Sequence, residues 1–546
     1  MPRVTLSARI SGVALACVVA AVMMAAPPAT AQESAENVAP ELPDIFSDPI
    51  PIYTKALGTF ARPISSTDPN AQAYFDQGFQ MMYAFAKIEA VRSFREAWKS
   101  DPTCAICYWG EAWAWGSYLN GQIREQDAPH AYAAIQKAVD LAPQSATPAE
   151  QSLVEAMSVR YVENYDPEHR VDQDQAYAEA MKVVAERYPD DLDAVTLYGE
   201  ALFLLEPRRG TRDLNDPRVQ RLHGVLEQVL SRDITHPGAC HLYVHATEST
   251  IEPGKAEACA EFLGSSIPGA SHINHMPSHT WNEVGRWADG VRANIRAWHS
   301  DQKAEIGEGF DIYPTHNLHM LLFAASMDGQ GAIAIQAGKD YTTLTNDAIY
   351  HTLTLLRFGR FEEILTLDRD DRSERNDIAA GLWDFAQGYA HLRTGEADFA
   401  KVYLARVRSS AATSEDVLRF HDAEHILGIV ANILEGEIHR AAGETEQAMA
   451  AFERSVTLED ELMYDEPEPL PFAARHWLGA MLLEEERYED AERVYREELE
   501  DHPHNGWSLL GLKTALDAQG RSSADVDTDF EKSWARADHW VRSSRY

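Results

Sequence analysis

Histidine is the residue type that stands out for chemistry. The chain has 546 residues and 21 histidines, and nine of these fall between positions 236 and 319: His236, His241, His245, His272, His275, His279, His299, His316 and His319. An even spread would place about three there. Imidazole suits zinc, copper, nickel or iron. Two imidazoles at i, i+4 can grip one ion from a single helix, and a third from a neighbouring helix completes a site with an open position. His241 and His245 have this spacing, as do His275 and His279 if their helix passes Pro277 with only a kink. Each group follows a proline: Pro237, then Pro268, then Pro314 for His316 and His319. The expected metal ligands are therefore His241, His245, His275 and His279, then His316, and the expected cofactor is a transition metal, zinc or copper. Glu248 and Asn317 are candidates for outer or additional ligands. The alternative for the same residues is a proton-sensitive or purely structural histidine network.

Other chemistry finds less support. His421 and His425 repeat the i, i+4 spacing singly, which long helices produce by chance. No His-Glu-x-x-His, Gly-x-Ser-x-Gly, phosphate-binding loop or dinucleotide fingerprint occurs. The stretch Tyr108 to Trp115, with Trp109, Trp113 and Trp115, reads as repeat packing. Asp465 and Glu466, in a proline-rich connector, come nearest to an acid–base pair. No catalytic residue is assigned.

The elements that must position the histidines are helices in pairs. No stretch alternates at period two between tight-turn dipeptides, so strands are not expected. Prolines recur as punctuation at Pro102, Pro143, Pro189, Pro237, Pro268 and Pro503, read as closing helix pairs. Short turns separate the helices within a pair, as in Gly285-Arg286-Trp287-Ala288 and Gly395-Glu396-Ala397. This is the layout of a tetratricopeptide repeat. The expected fold is all-α, a tetratricopeptide-repeat-like right-handed superhelical solenoid, in which the first helices of successive repeats line one groove about 10 Å apart. The prolines in residues 460–472 predict a rigid acidic connector, and residues 206–217 a polar loop. The expected organisation is a signal peptide over 1–31, a flexible leader over 32–70, an N-terminal array with the histidine cluster over 71–345, middle repeats over 346–460, a C-terminal repeat over 461–520 and a helical tail over 521–546.

Arg3 and Arg9 precede an uncharged apolar run from Ile10 to Ala26, then Ala29-Thr30-Ala31, the pattern a signal peptidase accepts. The expected location is periplasmic or secreted, with no membrane span in the mature chain. The formal net charge of −38 repels phosphate backbones, so nucleic acid is not an expected partner. Four cysteines follow the leader. Cys240 and Cys259 fall on the two helices of one repeat, where a disulfide is geometrically open to them. Cys104 and Cys107, three apart, are expected on one helix and in packing.

Several segments carry a resemblance: Asp101-Pro102-Thr103-Cys104-Ala105 with Tyr108-Trp109-Gly110, the run His236 to Ala246, His275-Met276-Pro277-Ser278-His279, His316-Asn317-Leu318-His319, and Asn505 to Leu509. On these the chain resembles a group of exported bacterial tetratricopeptide-repeat proteins, from about Gln77 to Gly520. The motifs identify the group, not a reaction. Relatives usually carry Gly-Pro-Asn after the Trp-Gly motif, where this chain reads Gly116-Ser117-Tyr118-Leu119-Asn120. Repeat folds mostly bind partners, so the expected function is a groove holding a protein, peptide or small ligand, with the histidine-bound metal at its centre. The alternative is a metalloenzyme in which that metal activates water or oxygen.

Overall fold

The computed structural model describes residues 42–206, 210–368 and 376–545. The signal peptide and the first part of the leader lie outside these residues, as do Pro207, Arg208 and Arg209 of the polar loop.

The described chain is a succession of antiparallel helix pairs. Pro69–Tyr83 pairs with Lys87–Ser100, Asp377–Arg393 with Ala397–Thr413, and Ala423–Ala441 with Thr445–Asp460. An all-α, tetratricopeptide-like superhelix is therefore the fold. The described strand structure is one two-residue ladder, Val417–Leu418 with His421–Asp422.

Local chemistry sets the helix starts. Asp68 accepts from the amides of Asn70 and Ala71, with Pro69 in the first turn. Thr147 and Glu150 close a reciprocal capping box ahead of Pro148. Pro237 works the same way: it opens the helix Pro237–Thr247 and does not close the preceding one, and the His236 ring caps the amide of Ala239. Proline suits that position because a first-turn amide has no intrahelical acceptor anyway. Pro143 departs further from its expected role, since it lies inside Ala128–Ser145, near its end.

Two hydrophobic cores form in sequence order. The first runs from Phe46 to Ile312 and the second from Trp287 to Leu516. Each arises because the array winds tightly enough for distant repeats to touch. In the first, Arg62 reaches Asp191 at 2.6 Å and Asp193 at 2.9 Å, and the Tyr83 hydroxyl donates to Asp193 at 2.7 Å. In the second, the C-terminal helices return to the middle of the chain: Trp507 Nε1 donates to the Ser326 carbonyl at 2.9 Å, and Arg536 pairs with Asp328 at 2.7 Å. Residues 271–327, which carry six of the nine clustered histidines, sit where the two cores meet. The leader from Pro51 to Phe60 is docked by the side chains of Gln77 and Gln80, which bond its backbone.

Two disulfides are present, Cys240–Cys259 and Cys104–Cys107. The second corrects the packing assignment. Cys104 is not on the helix: it is the extended residue ahead of Ala105–Trp115 (φ −73°, ψ 93°), and its Cα lies 5.4 Å from that of Cys107. Trp109 and Trp113 are fully buried in the first core, and the Trp113 indole donates to Glu200.

Candidate metal centre

Three elements deliver the imidazoles. Pro237–Thr247 carries His241 and His245 on one face. The next inner segment is broken into Ser271–His275 and Pro277–Glu283. Pro277 has no amide to bond backward, yet Met276 between the pieces keeps helical angles (φ −49°, ψ −36°), so the break is a kink. His272, His275 and His279 therefore stay in register. Pro314–Met327 brings His316 and His319.

The rings converge. His241 Nε2 lies 3.1 Å from His272 Nε2, and His275 Nε2 lies 2.7 Å from His279 Nε2. His316 packs on His275 with ring centroids 4.6 Å apart. Two groups of three result: His241, His245 and His272, and His275, His279 and His316, the ligand atoms of each lying within 4.8 Å of one another. A tetrahedral ion bound at 2.0–2.1 Å would hold two ring nitrogens about 3.3 Å apart, so the observed contacts are close to a ligating spacing.

The outer nitrogens are anchored. His241 Nδ1 faces the Tyr83 carbonyl at 2.6 Å, His245 Nδ1 faces Glu248 Oε1 at 3.0 Å, and His275 Nδ1 faces Asn294 Oδ1 at 2.7 Å. His279 Nδ1 faces both Glu248 Oε2 at 2.6 Å and Glu466 Oε2 at 2.8 Å. In each case the oxygen accepts, so Nδ1 carries the proton; on His241, His245 and His275 this leaves Nε2 with its lone pair, and on His279 Nε2 faces that of His275. That is the tautomer a metal requires, held by the partner usual for metal-bound histidine. His245 Nε2 and His272 Nδ1 are buried with no hydrogen-bond partner, an expensive arrangement for polar atoms.

Electrostatics agree with the geometry. Burial pushes His241, His272, His275 and His316 well below the ordinary imidazole value, and the neighbouring imidazoles push in the same direction. These rings are neutral at pH 7. Burial acts on His279 too, but Glu248 and Glu466 outweigh it and lift it to about 10. In the protein alone its two Nδ1 acceptors and the close His275 nitrogen thus share an imidazolium. A bound cation would replace that proton.

Two features lay outside the expected ligand set. The first is His272, which shares a helical stripe with His275 and His279 at i, i+3 and i+7, a pattern that does mark it. The second is Phe85, whose ring lies 4.2 Å from that of His241 and 5.4 Å from that of His272, covering the first group. Phe85 sits in the turn between two paired helices with φ 62°, where other such turns place Gly329 (φ 70°) or Gly395 (φ 93°). A left-handed backbone costs a bulky residue roughly 1–2 kcal/mol, and here that strain sets an aromatic lid on three imidazoles.

Other expected residues take different roles. Glu248 meets the Nδ1 atoms of His245 and His279, and with them and Glu466 forms a third group whose atoms lie close enough to hold an ion. Asn317 turns away, donating to Asp301 and the Ile312 carbonyl. His319 stacks on Tyr350 at 4.1 Å. His421 faces Asp465, and His425 is satisfied by Asp422. Asp465 and Glu466 do not act as a pair: Arg419 holds Asp465 at 2.6 Å and the Glu466 carbonyl at 2.7 Å, which aims the Glu466 carboxylate at His279.

Beside the second group lies a cavity of about 910 Å³, whose lining includes Glu248, His279, Glu283, Glu466, Glu468 and His502. Its carboxylates crowd one another. Burial, with Glu468 and Glu248, pushes Glu283 up to about 8. No described helix is long and apolar enough to cross a membrane.

Fold and site together define a helical-repeat protein with a buried polyhistidine cluster. No family model matches the chain, and no curated protein does. Among solved structures it is similar to the P58(IPK) TPR domain (11% identity, 83% of this chain and 98% of that chain, TM-score 0.21). It is also similar to the human IFIT1 dimer with m7Gppp-AAAA (11%, 87% and 91%, TM-score 0.29) and to the APC/C hetero-tetramer Cut9-Hcn1 (12%, 86% and 96%, TM-score 0.26). At these scores the likeness carries no argument, and the fold assignment rests on the helix pairing itself.

Proposed function

We propose that this chain is an exported solenoid that binds a transition metal, zinc or copper, through the His241–His316 cluster and presents it to a ligand or partner in the adjoining acidic cavity. One observation carries the reading. Four imidazoles have Nδ1 resting on an oxygen acceptor, which turns four Nε2 atoms inward, where they meet other imidazole nitrogens or, at His245, no partner at all. The two disulfides and the leader support an oxidising, extracytoplasmic location.

A metalloenzyme is the second reading, favoured by the cavity at His279 and Glu466, which would admit a substrate to the metal.

Metal analysis tests the proposal. Protein purified without a polyhistidine tag, loaded with zinc or copper and dialysed, retains metal; the double variant His241→Ala, His279→Ala loses it while keeping its helical circular dichroism. Full retention in the variant, or no retention in the parent, refutes the reading.

A further inference from the structure

Six imidazoles exceed what one ion takes. A four-coordinate ion uses at most four, and a site with an open position uses three. The cluster divides accordingly, and its halves abut: the His245 and His279 rings are 5.2 Å apart and those of His272 and His275 5.6 Å. Resting on the metal-binding reading above, we infer that the cluster is a binuclear centre holding two transition-metal ions, one on His241, His245 and His272 and the other on His275, His279 and His316.

Each half has its own reason to need a cation. In the first, His245 Nε2 is buried and unpartnered, so filling the second group alone leaves a bare nitrogen behind. In the second, His275 and His279 present Nε2 to each other at 2.7 Å while both Nδ1 atoms are occupied by oxygens. Anchoring also serves both: Glu248 gives one oxygen to His245 of the first group and the other to His279 of the second, at 3.0 and 2.6 Å. A single carboxylate thus orients both halves.

The halves differ in access. The first group is fully buried under Phe85, whereas His316 of the second is partly exposed and His279 borders the cavity. The first ion is therefore closed off, and the second keeps the open position. Two dications against the carboxylates of Glu248 and Glu466 leave positive charge over. The ligand class that suits two adjacent dications is a small oxygen anion, as in other two-metal sites.

Copper alone serves as the probe. Untagged protein is incubated with a copper(II) salt and dialysed; total copper is then compared with copper visible by electron paramagnetic resonance. The expected result is two coppers per chain with less than about half the copper visible, because adjacent ions couple. His272→Ala and His316→Ala each lower the content to one, now fully visible. One fully visible copper in the parent, lost in either variant, overturns the binuclear centre and leaves a single-metal site standing. Two fully visible coppers that neither variant removes mean adventitious binding and also overturn it. No retained copper or zinc defeats the metal-binding reading itself. If a variant fails to fold, the parent's ratio of visible to total copper decides alone.

Discussion

Glu248→Gln separates the two halves of the cluster. Each Glu248 oxygen takes one Nδ1–H, from His245 at 3.0 Å and from His279 at 2.6 Å. Glutamine offers one acceptor and one amide donor. One imidazole must then face N–H, shift its own proton to Nε2 and so block the nitrogen meant for metal. His279 has Glu466 in reserve at 2.8 Å, whereas His245 lies 4.0 Å from it. The loss should therefore fall on His245. Removing an outer partner typically weakens metal binding about 10–100-fold, or roughly 1.4–2.7 kcal/mol. The first group should weaken by that factor and the second by less than about threefold. Asn294→Ala, which strips the acceptor from His275, should reverse the pattern. Competition against a chromophoric chelator near neutral pH resolves the two affinities. Parent-like binding at both groups in Glu248→Gln, or a first-group loss in Asn294→Ala, refutes the anchoring argument.

Other perturbations address the scaffold. Burial would raise the Asp193 carboxyl, but the His236 ring at 3.2 Å, Arg62 and the Tyr83 hydroxyl outweigh it and hold it at about 2. Against an unfolded value of about 3.9, that is roughly 2–3 kcal/mol, present above pH 3.9 and lost as pH falls toward 2. Urea titrations should show Asp193→Asn less stable by about that amount near neutrality, with the difference closing in acid; parallel pH curves would contradict it. Replacing Cys240 and Cys259, 19 residues apart, by serine should destabilise by about 3 kcal/mol, read as a lowered melting temperature; a parent-like value would contradict it. Gly238→Ala would set a methyl 2.2 Å from the Tyr83 ring, so it should cost about 1–3 kcal/mol; an unchanged melting temperature would show that Tyr83 yields freely.

Local rules reached the helices and the grouping of the histidines, because both depend on neighbours within a few residues. His241 and His245 share a face by spacing alone, and the kink at Pro277 leaves His275 and His279 together. Proline was legible as a boundary but not in its sense, since the short turn after Pro217–Leu230 leaves Pro237 open to either role. The Cys104–Cys107 bridge was hidden because one cysteine precedes the helix in extended backbone. What no local pattern carries is the tightness of winding. It brings Phe85 and Tyr83 to His241 from more than 150 positions away, and Glu466 to His279 from nearly 190. Phe85 was further masked because it fills a turn position that glycine fills elsewhere.

The meeting of the two cores has a consequence for how the protein comes into being. Tyr83 braces the earliest ring, His316 arrives from the start of the second core, and Glu466 comes from a connector near the far end. A growing or truncated chain that stops between the cores would keep most of its helices and still own no finished binding chamber. Cargo loaded there would clasp one half of the molecule to the other, so resistance to proteolysis across the junction should report loading.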